Sequence, residues 1–468
     1  MRGSKDVKSV SRSIVWQLLG KFVLQGVAFF TTPIFTRILT PDDYGYTALY
    51  ASWLSITSLI LGLQTSGSIG QARVRLKDSE IDGYLSSILS ISIISFVVVL
   101  FIGFALQKQL SRWLGIRQDL VLLIIIQSFA AYVVNFYIAK LDQYKEARKS
   151  TILSICNTLA SVILSIIFVI FLSGNNKGIA KIYGQAIPVI LIGIYLFFYT
   201  YKRGKVLWNR EYNRFCLALT SPLIFHALGG LIFSQCDRLM LQKMYDDKTL
   251  GIYSVTFALC SVLTIIYGAL NVSWVPFYYD YKKAHEEKII LERSKRYVKF
   301  FTVITLGFLL LSADVFKLMA PEPYWTGIGV IPLFVLSNYF SYLYLLPVNF
   351  EFYHCKTKII PVATFLAALI NIGINFILIP PLGILGAAIG TAVAHFLSFL
   401  FHDVVARFVL KDLHFEYPVR IYIPGLIFVI AFCILFPLII QFWYIRWALA
   451  VVLGFYLLRD IYIHKSFF

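Results

Sequence analysis

The stretch TPIFTRILTPDDYG, residues 32–45, closes the first apolar segment of the chain, and an arginine, Arg37, stands in its last turns. A similar phrase, CDRLMLQKMYDDKTLGIY, returns at residues 236–253. The recurrence decides the fold. Each phrase marks the turn between two membrane-length helices, and the chain passes through that turn twice.

Composition sets the frame around it. The 468 residues are 59% hydrophobic with a mean hydropathy of +0.77, far more apolar than a water-facing fold of this size needs. Apolar runs of about 20 residues recur from end to end, each matched to a bilayer core of about 30 Å. Alternating strands of about 10 residues, the mark of a membrane β-barrel, are absent. The expected class is an all-α integral membrane protein with about fourteen transmembrane helices. The last two, near 420–440 and 446–463, are separated only by QFWYI, and Arg446 lies at their junction. Twelve helices with a re-entrant or interfacial end is the other count.

The net charge of +18 does not signal nucleic acid, because the basic residues fall in short loops between apolar segments. Most of the 42 Lys and Arg fall in alternate loops, which places both termini in the cytoplasm. The basic start MRGSKDVKSVSR leads into a segment of about 26 residues without a small-residue cleavage pattern, so it reads as a retained first helix. The six cysteines are scattered through apolar segments with no CxxC pair, and read as small buried hydrophobes. The charged run 278–297 reads as the solvated extension of a helix.

Gly45 and Gly251 match at an offset of 206. LGLQ (61–64) and GALN (268–271) follow in register, then GNNKGIAKIYG (174–184) and PPLGILGAAIG (380–390), with KEARKS (145–150) against HCKTKI (354–359). Four matches in order at one spacing indicate an internal repeat. Six helices separate the copies, so both face the same way. The repeat is parallel, with any substrate site between its halves. The expected organisation is a six-helix lobe over 1–214, a second over 215–409, and a C-terminal helix pair over 410–468.

TPIFTRILTPDDYGYTALY, DRLMLQ…LGIYSV and NFILIPPLGILGAAIGTAVA resemble, in order and spacing over about residues 10–410, the oligosaccharide flippases of polysaccharide biosynthesis (the Wzx type). These belong to the multidrug/oligosaccharidyl-lipid/polysaccharide exporter superfamily. The resemblance implies a V-shaped central cavity with alternating access. It implies translocation of an undecaprenyl-pyrophosphate-linked oligosaccharide repeat unit from the cytoplasmic to the outer leaflet of the bacterial inner membrane, for O-antigen (lipopolysaccharide) or capsule biosynthesis. The polymerase and chain-length regulator of the same pathway are the implied partners, and the flippase is expected as a monomer.

A lipid pyrophosphate needs cations at low dielectric, and its sugars need amides, hydroxyls and aromatic faces. Gln17, Lys21 and Gln25 fall on one face of the first helix, with Ala28 and Thr32 continuing it. Lys21 lies nine residues past Arg12, roughly 13 Å deep at about 1.5 Å per residue, and must face a cavity or a partner. Arg37 points about 160° away on a straight helix, so it reaches the cavity only if Pro33 re-aims it; otherwise it pairs with Asp42 or Asp43 as an anchor. In the second copy His226, Gly230 and Asp237 share a face, and Arg238 is the repeat partner of Arg37. Asn338, Asn371 and Asn375, with Tyr342 and Asn349, suit sugar hydroxyls or interhelical hydrogen bonds. Asp314 and Lys317, three apart, are expected to pair.

There is no P-loop, no zinc spacing and no catalytic triad, so no cofactor and no enzyme activity are expected. Energy must come from a gradient, of H+ or Na+, or from downstream consumption of product. The rival reading is a cation-coupled multidrug exporter of the same superfamily. Such a pump uses membrane-embedded carboxylates, whereas the first six apolar segments here hold none at mid-depth. A polysaccharide polymerase would carry a large outward loop, an amino-acid permease a five-helix inverted repeat.

Overall fold

The computed structural model describes residues 16, 20, 23–27, 29–172, 174 and 176–464, and every regular element among them is helical. Among the described residues ten helices are long and apolar enough to span a bilayer, or eleven if one bent pair counts as a span.

The helices are α1 (Val23–Ile38), α2 (Pro41–Gly62), α3 (Ile69–Arg75), α4 (Asp78–Ala105), α5 (Gln107–Leu114), α6 (Gln118–Gln143), α7 (Ala147–Phe171), α8 (Lys177–Gly204) and α9 (Arg210–Met244). They continue as α10 (Asp247–Lys283), α11 (Glu287–Met319), α12 (Ile331–Tyr353), α13 (Ile359–Leu382), α14 (Ile384–Val404), α15 (Ile423–Ile439) and α16 (Trp443–His464). Of the fourteen expected spans, α1 and α15 are shorter apolar helices, and α16 carries Arg446, Arg459 and Asp460.

Packing divides the chain into two compact units, Met1–Gly251 and Ile252–Phe468. That division falls at 251 and the repeat-based one at 214, because they rest on different grounds: α9 belongs to the second copy by sequence, yet packs on α2 and α4 in the first unit. Within that unit α8 lies against α6 and α7, and α2 against α6.

The opening stretch folds as a helix stop and restart. Thr40 Oγ1 accepts the amide of Asp43 at 3.1 Å, while Asp43 Oδ2 accepts the Thr40 amide at 3.3 Å, a reciprocal cap on the start of α2. Pro41 takes the first helical position, where no amide donor is needed. The other oxygen of Asp43 accepts the Gly178 amide at 2.9 Å, so one carboxylate caps two helices, α2 and α8.

The repeated glycine is required by close approach. A Cβ on Gly45 would lie 1.7 Å from the Asp247 carbonyl oxygen, and one on Gly251 would lie 1.9 Å from that of Pro41. Each glycine is the fifth residue of its helix, and the contact is reciprocal.

The next motif pair diverges. At LGLQ the chain leaves α2 through two residues of positive φ, Leu63 at 47° and Gln64 at 53°, and bends by 51° into Thr65–Arg75. At GALN, α10 runs on without a break. The charged run 278–297 is likewise not one helix: α10 ends at Lys283 and α11 starts at Glu287, with His285 at φ 59° in the turn.

In the second unit α13 and α14 form a hairpin, α12 lies on α14, and α11 carries α15 and α16. The expected Asp314–Lys317 pair does not form. Arg446, 1% exposed, donates to the Leu310 carbonyl at 2.6 Å and to Asp314 at 3.0 Å, while Lys317 lies over the ring of Trp325. A fully buried guanidinium needs a carboxylate more than a half-solvated lysine does, and this pair ties α16 to α11.

Candidate functional site

Polar groups enter the apolar interior of each unit in a different way. In the first unit one cluster of them lies around Tyr44. Its hydroxyl is hydrogen-bonded to Thr32 of α1 and lies within electrostatic reach of Arg238 of α9. On its other side is Lys181 of α8, 7% exposed. The Lys181 ammonium sits 4.4 Å from the centroid of Phe35 and 4.6 Å from that of Tyr44, and donates to Thr47 Oγ1 at 3.3 Å. Among the described residues no carboxylate lies within ion-pair reach of it. Aromatic faces stabilise a desolvated cation without neutralising it. The four helices α1, α2, α8 and α9 thus assemble a cluster of positive charge, hydroxyls and rings.

One acid of this unit is buried inside a helix, Asp237 of α9, 6% exposed and next to Arg238; the other described acids lie toward helix ends. From Tyr44 to Arg210 they are Asp78, Glu80, Asp82, Asp119, Asp142 and Glu146, each in a turn or within a turn or so of a helix end. Where α2, α6, α8 and α10 begin, a pocket of about 470 Å³ is lined by Asp42, Asp43, Tyr46, Arg117, Asn176 and Asp247. The Arg117 amide donates to Tyr46 Oη at 2.8 Å, and Tyr183 donates to Asp119 at 3.0 Å. The carboxylates there sit at helix N-termini, whose amides they complement.

The residues singled out by sequence fall as follows. Gln17 and Lys21 lie outside the described residues. Gln25 and His226 are exposed. Arg37 is exposed and donates to the Pro33 carbonyl at 2.8 Å, one turn back, while Asp43 is engaged by the two helix caps. Arg238 is half-buried and donates to Gln235 Oε1 at 3.0 Å. Asp237, 6% exposed, accepts from the thiol of Cys236 at 3.5 Å. His226 and Asp237 therefore share a helix face but not an environment.

In the second unit Asn371 and Asn375 are both fully buried on α13, with Asn375 Nδ2 donating to Asn371 Oδ1 at 3.0 Å. A Cβ on Gly390 of α14 would lie 2.2 Å from Asn375 Oδ1, so the hairpin closes on these amides. Asn338 is tied to α10: it accepts from Thr264 at 2.7 Å and donates to the Phe334 carbonyl at 2.8 Å. Asn349 donates to Asn271 at 2.8 Å.

Sequence reasoning missed Lys181 and the pair Glu351–His402, which is fully buried between α12 and α14. Lys181 was open to discovery, since it lies inside the apolar segment after GNNKG that reads as a membrane helix. His402 was open in the same way. Glu351 stands at the border of its segment, where a solvated carboxylate is the ordinary reading.

These features define a multi-pass helical membrane protein with the fold of lipid flippases and multidrug transporters. Over 97% of its length it is similar to a lipid II flippase MurJ in an inward closed conformation, with a TM-score of 0.73 at 15% identity and 99% of that chain covered. It is also similar to an inward-facing multidrug resistance MATE family transporter of the MOP superfamily, with a TM-score of 0.67 at 14% identity, covering 83% of this chain and 94% of that one.

The chain belongs to the polysaccharide biosynthesis protein family, whose profile matches residues 10–281, more than half of it. A relative is the capsular polysaccharide biosynthesis protein CapF of Staphylococcus aureus, 24% identical over 386 residues, with 78% of this chain and 91% of that protein covered.

Proposed function

We propose that the protein is a flippase for an undecaprenyl-pyrophosphate-linked oligosaccharide repeat unit, moving it from the cytoplasmic to the outer leaflet by alternating access for surface polysaccharide synthesis, as O-antigen or capsule. It works as a secondary transporter of the cytoplasmic membrane with both termini in the cytoplasm. An H+ or Na+ gradient, or removal of product by the polymerase and chain-length regulator, supplies direction.

One observation carries this reading: the polar cluster around Tyr44 in the first unit is cationic and aromatic, built on Lys181, Arg238, Tyr44 and Phe35, and among the described residues no carboxylate lies within ion-pair reach of the buried Lys181. Positive charge at low dielectric favours an anionic substrate such as a lipid pyrophosphate and disfavours a cationic drug. The polysaccharide family and the flippase-like fold support the same reading.

The test deletes the gene in its native host and extracts the lipids. Accumulation of a pyrophosphate-linked oligosaccharide on the cytoplasmic side, with loss of surface polysaccharide, is the expected outcome. Unchanged lipids together with new sensitivity to cationic dyes would transfer the protein to the multidrug exporters.

A further inference from the structure

Glu351 lies one turn inside the end of α12, and His402 lies two residues before the end of α14, which passes into a π-helical turn, Val405–Val409, that continues the helix. Both side chains are 0% exposed. The imidazole Nδ1 is 2.8 and 2.9 Å from the two carboxylate oxygens. The other ring nitrogen, Nε2, is buried without a hydrogen-bond partner among the described residues. The rings of Tyr344 and Phe401 stand edge-on to the imidazole, with centroids at 5.0 and 5.6 Å.

The second unit contains other ion pairs, but they differ in kind. Lys282–Glu416, Arg407–Asp403 and Arg446–Asp314 each use a cation other than imidazole; the first is 8% and 2% exposed, and the other two reach solvent at one or both side chains. Glu351–His402 combines an imidazole, whose two ring nitrogens can both hold and release protons, with complete burial and a ring nitrogen that has no partner among the described residues.

We propose that Glu351 and His402 form a proton-binding site, in which the carboxylate faces the imidazole's Nδ1 proton and the exchangeable proton is carried on His402 Nε2, from which it passes to water admitted at this end of the second unit. The proposal rests on the transporter reading above and names its coupling ion. With the proton bound, imidazolium and carboxylate together carry no net charge. When the proton leaves from Nε2 to water as hydronium, the ring remains neutral, with its remaining proton on Nδ1 facing Glu351. The site then holds one uncompensated negative charge. A sealed apolar site tolerates the first form better than the second, so loss of the proton favours an arrangement in which water reaches the carboxylate. The shallow position gives access from one face of the membrane only, the cytoplasmic face in the proposed orientation.

Few titratable groups face the pair. Tyr344 shares α12 with Glu351. Tyr297 is the buried titratable group of α11 near this end. α13 has none, although Lys356 and Lys358 precede it. From α10, Lys282 lies 5.4 Å from the Phe350 ring and is neutralised by Glu416 at 2.9 Å. Asp403 is bound to Arg407 at 2.6 Å and to the Tyr422 hydroxyl at 2.5 Å. His395, farther along α14, bonds Ser337 at 3.1 Å. His354, against Phe350, is held below the ordinary imidazole range by burial and by Lys282 and Lys356.

The test uses the full-length protein in phospholipid nanodiscs, titrated potentiometrically beside Glu351→Gln and His402→Gln. Each variant keeps a neutral hydrogen-bonding partner and removes one half of the proton site. The expected result is one fewer proton bound by each folded variant over the titration. Superimposable curves in variants that melt like the wild type would overturn the proposal, and so would lower melting temperatures with unchanged proton counts. A second arm places the protein in liposomes with lipid-linked oligosaccharide and imposes a pH gradient. The gradient should accelerate wild-type transport and leave Glu351→Gln unaffected. Equal acceleration of both would defeat the proton site while leaving the flippase reading intact. If the wild type moves no oligosaccharide, the flippase reading fails, and the proton count alone decides the site.

Discussion

The two units keep buried cations in opposite ways. In the first, Lys181 rests between two aromatic rings and a hydroxyl, with no carboxylate near it among the described residues. In the second, Lys282 meets Glu416, Arg407 meets Asp403, and Arg446 meets Asp314. An ion pair that is already neutral has little field left for a ligand, whereas a cation held by π-faces still projects one. The second unit uses these charges to join helices, whereas Lys181 in the first keeps its charge with no described carboxylate within ion-pair reach.

The sharpest way to break this contrast is at Lys282, whose side chain is 8% exposed and whose partner Glu416 is 2% exposed. Lys282→Ala strands a carboxylate away from water and should cost about 3–5 kcal/mol. The double variant Lys282→Met with Glu416→Leu, which removes both charges, should recover most of that loss. Thermal unfolding in detergent reads both. If the single and double variants melt together, the pair is not the joint described here.

The repeated phrase offers a second contrast of smaller size. Gly45→Ala forces a methyl against the Asp247 carbonyl, an overpacking expected to cost about 1–3 kcal/mol or more. Gly268, in the echo of LGLQ, has open space around its Cβ position, so Gly268→Ala should stabilise α10 by roughly 0.5–1 kcal/mol. Equal effects at the two positions would mean that the close approach at Gly45 is absent in the working protein.

Arg446 sharpens the comparison from the other end of the scale. Its partner Asp314 is 29% exposed and can be rehydrated, so Arg446→Met should cost less than Lys282→Ala, about 1–3 kcal/mol, mainly from the lost charge-assisted bonds and the loosened α16. Lys317→Ala should leave stability within about 0.5 kcal/mol. Limited proteolysis of the last helix, compared in the two variants, checks the order.

Much of this architecture was legible in the sequence because bilayer-length apolar runs are a strong signal and Gly45 and Gly251 recur in register. The bend after Gly62 was not, since two non-glycine residues of positive φ are set by tertiary packing, here the Tyr132 ring, which leaves no room for a Cβ at Gly62. Nor was the identity of charge partners. Asp314 has a cation three residues away in sequence and uses one 132 residues away instead. The amide pair Asn371–Asn375 was legible from its helical spacing. The cationic cluster was only half legible, because Arg238 announced itself by repeat position, whereas Lys181 owes its place to a fold that wraps Phe35 and Tyr44 around it.

Lys181 is therefore where the comparison is most exposed to failure. Removing a buried cation ordinarily destabilises by leaving its counter-ion unpaired. Here the described neighbours are two rings and a hydroxyl, so Lys181→Met strands no charge and trades an ammonium for apolar contacts of similar volume. The lost cation–π and hydroxyl contacts and the relieved desolvation oppose each other, and the net change should stay within about 1 kcal/mol in either direction. Transport should nevertheless fall, because the field that the first unit offers an anionic substrate would be weakened at Tyr44 while the fold stands. Melting temperature and flipping rate measured on the same preparation separate the two effects. A Lys181→Met protein that melts as low as Lys282→Ala would show a hidden counter-ion, and the distinction between the units would then be one of degree.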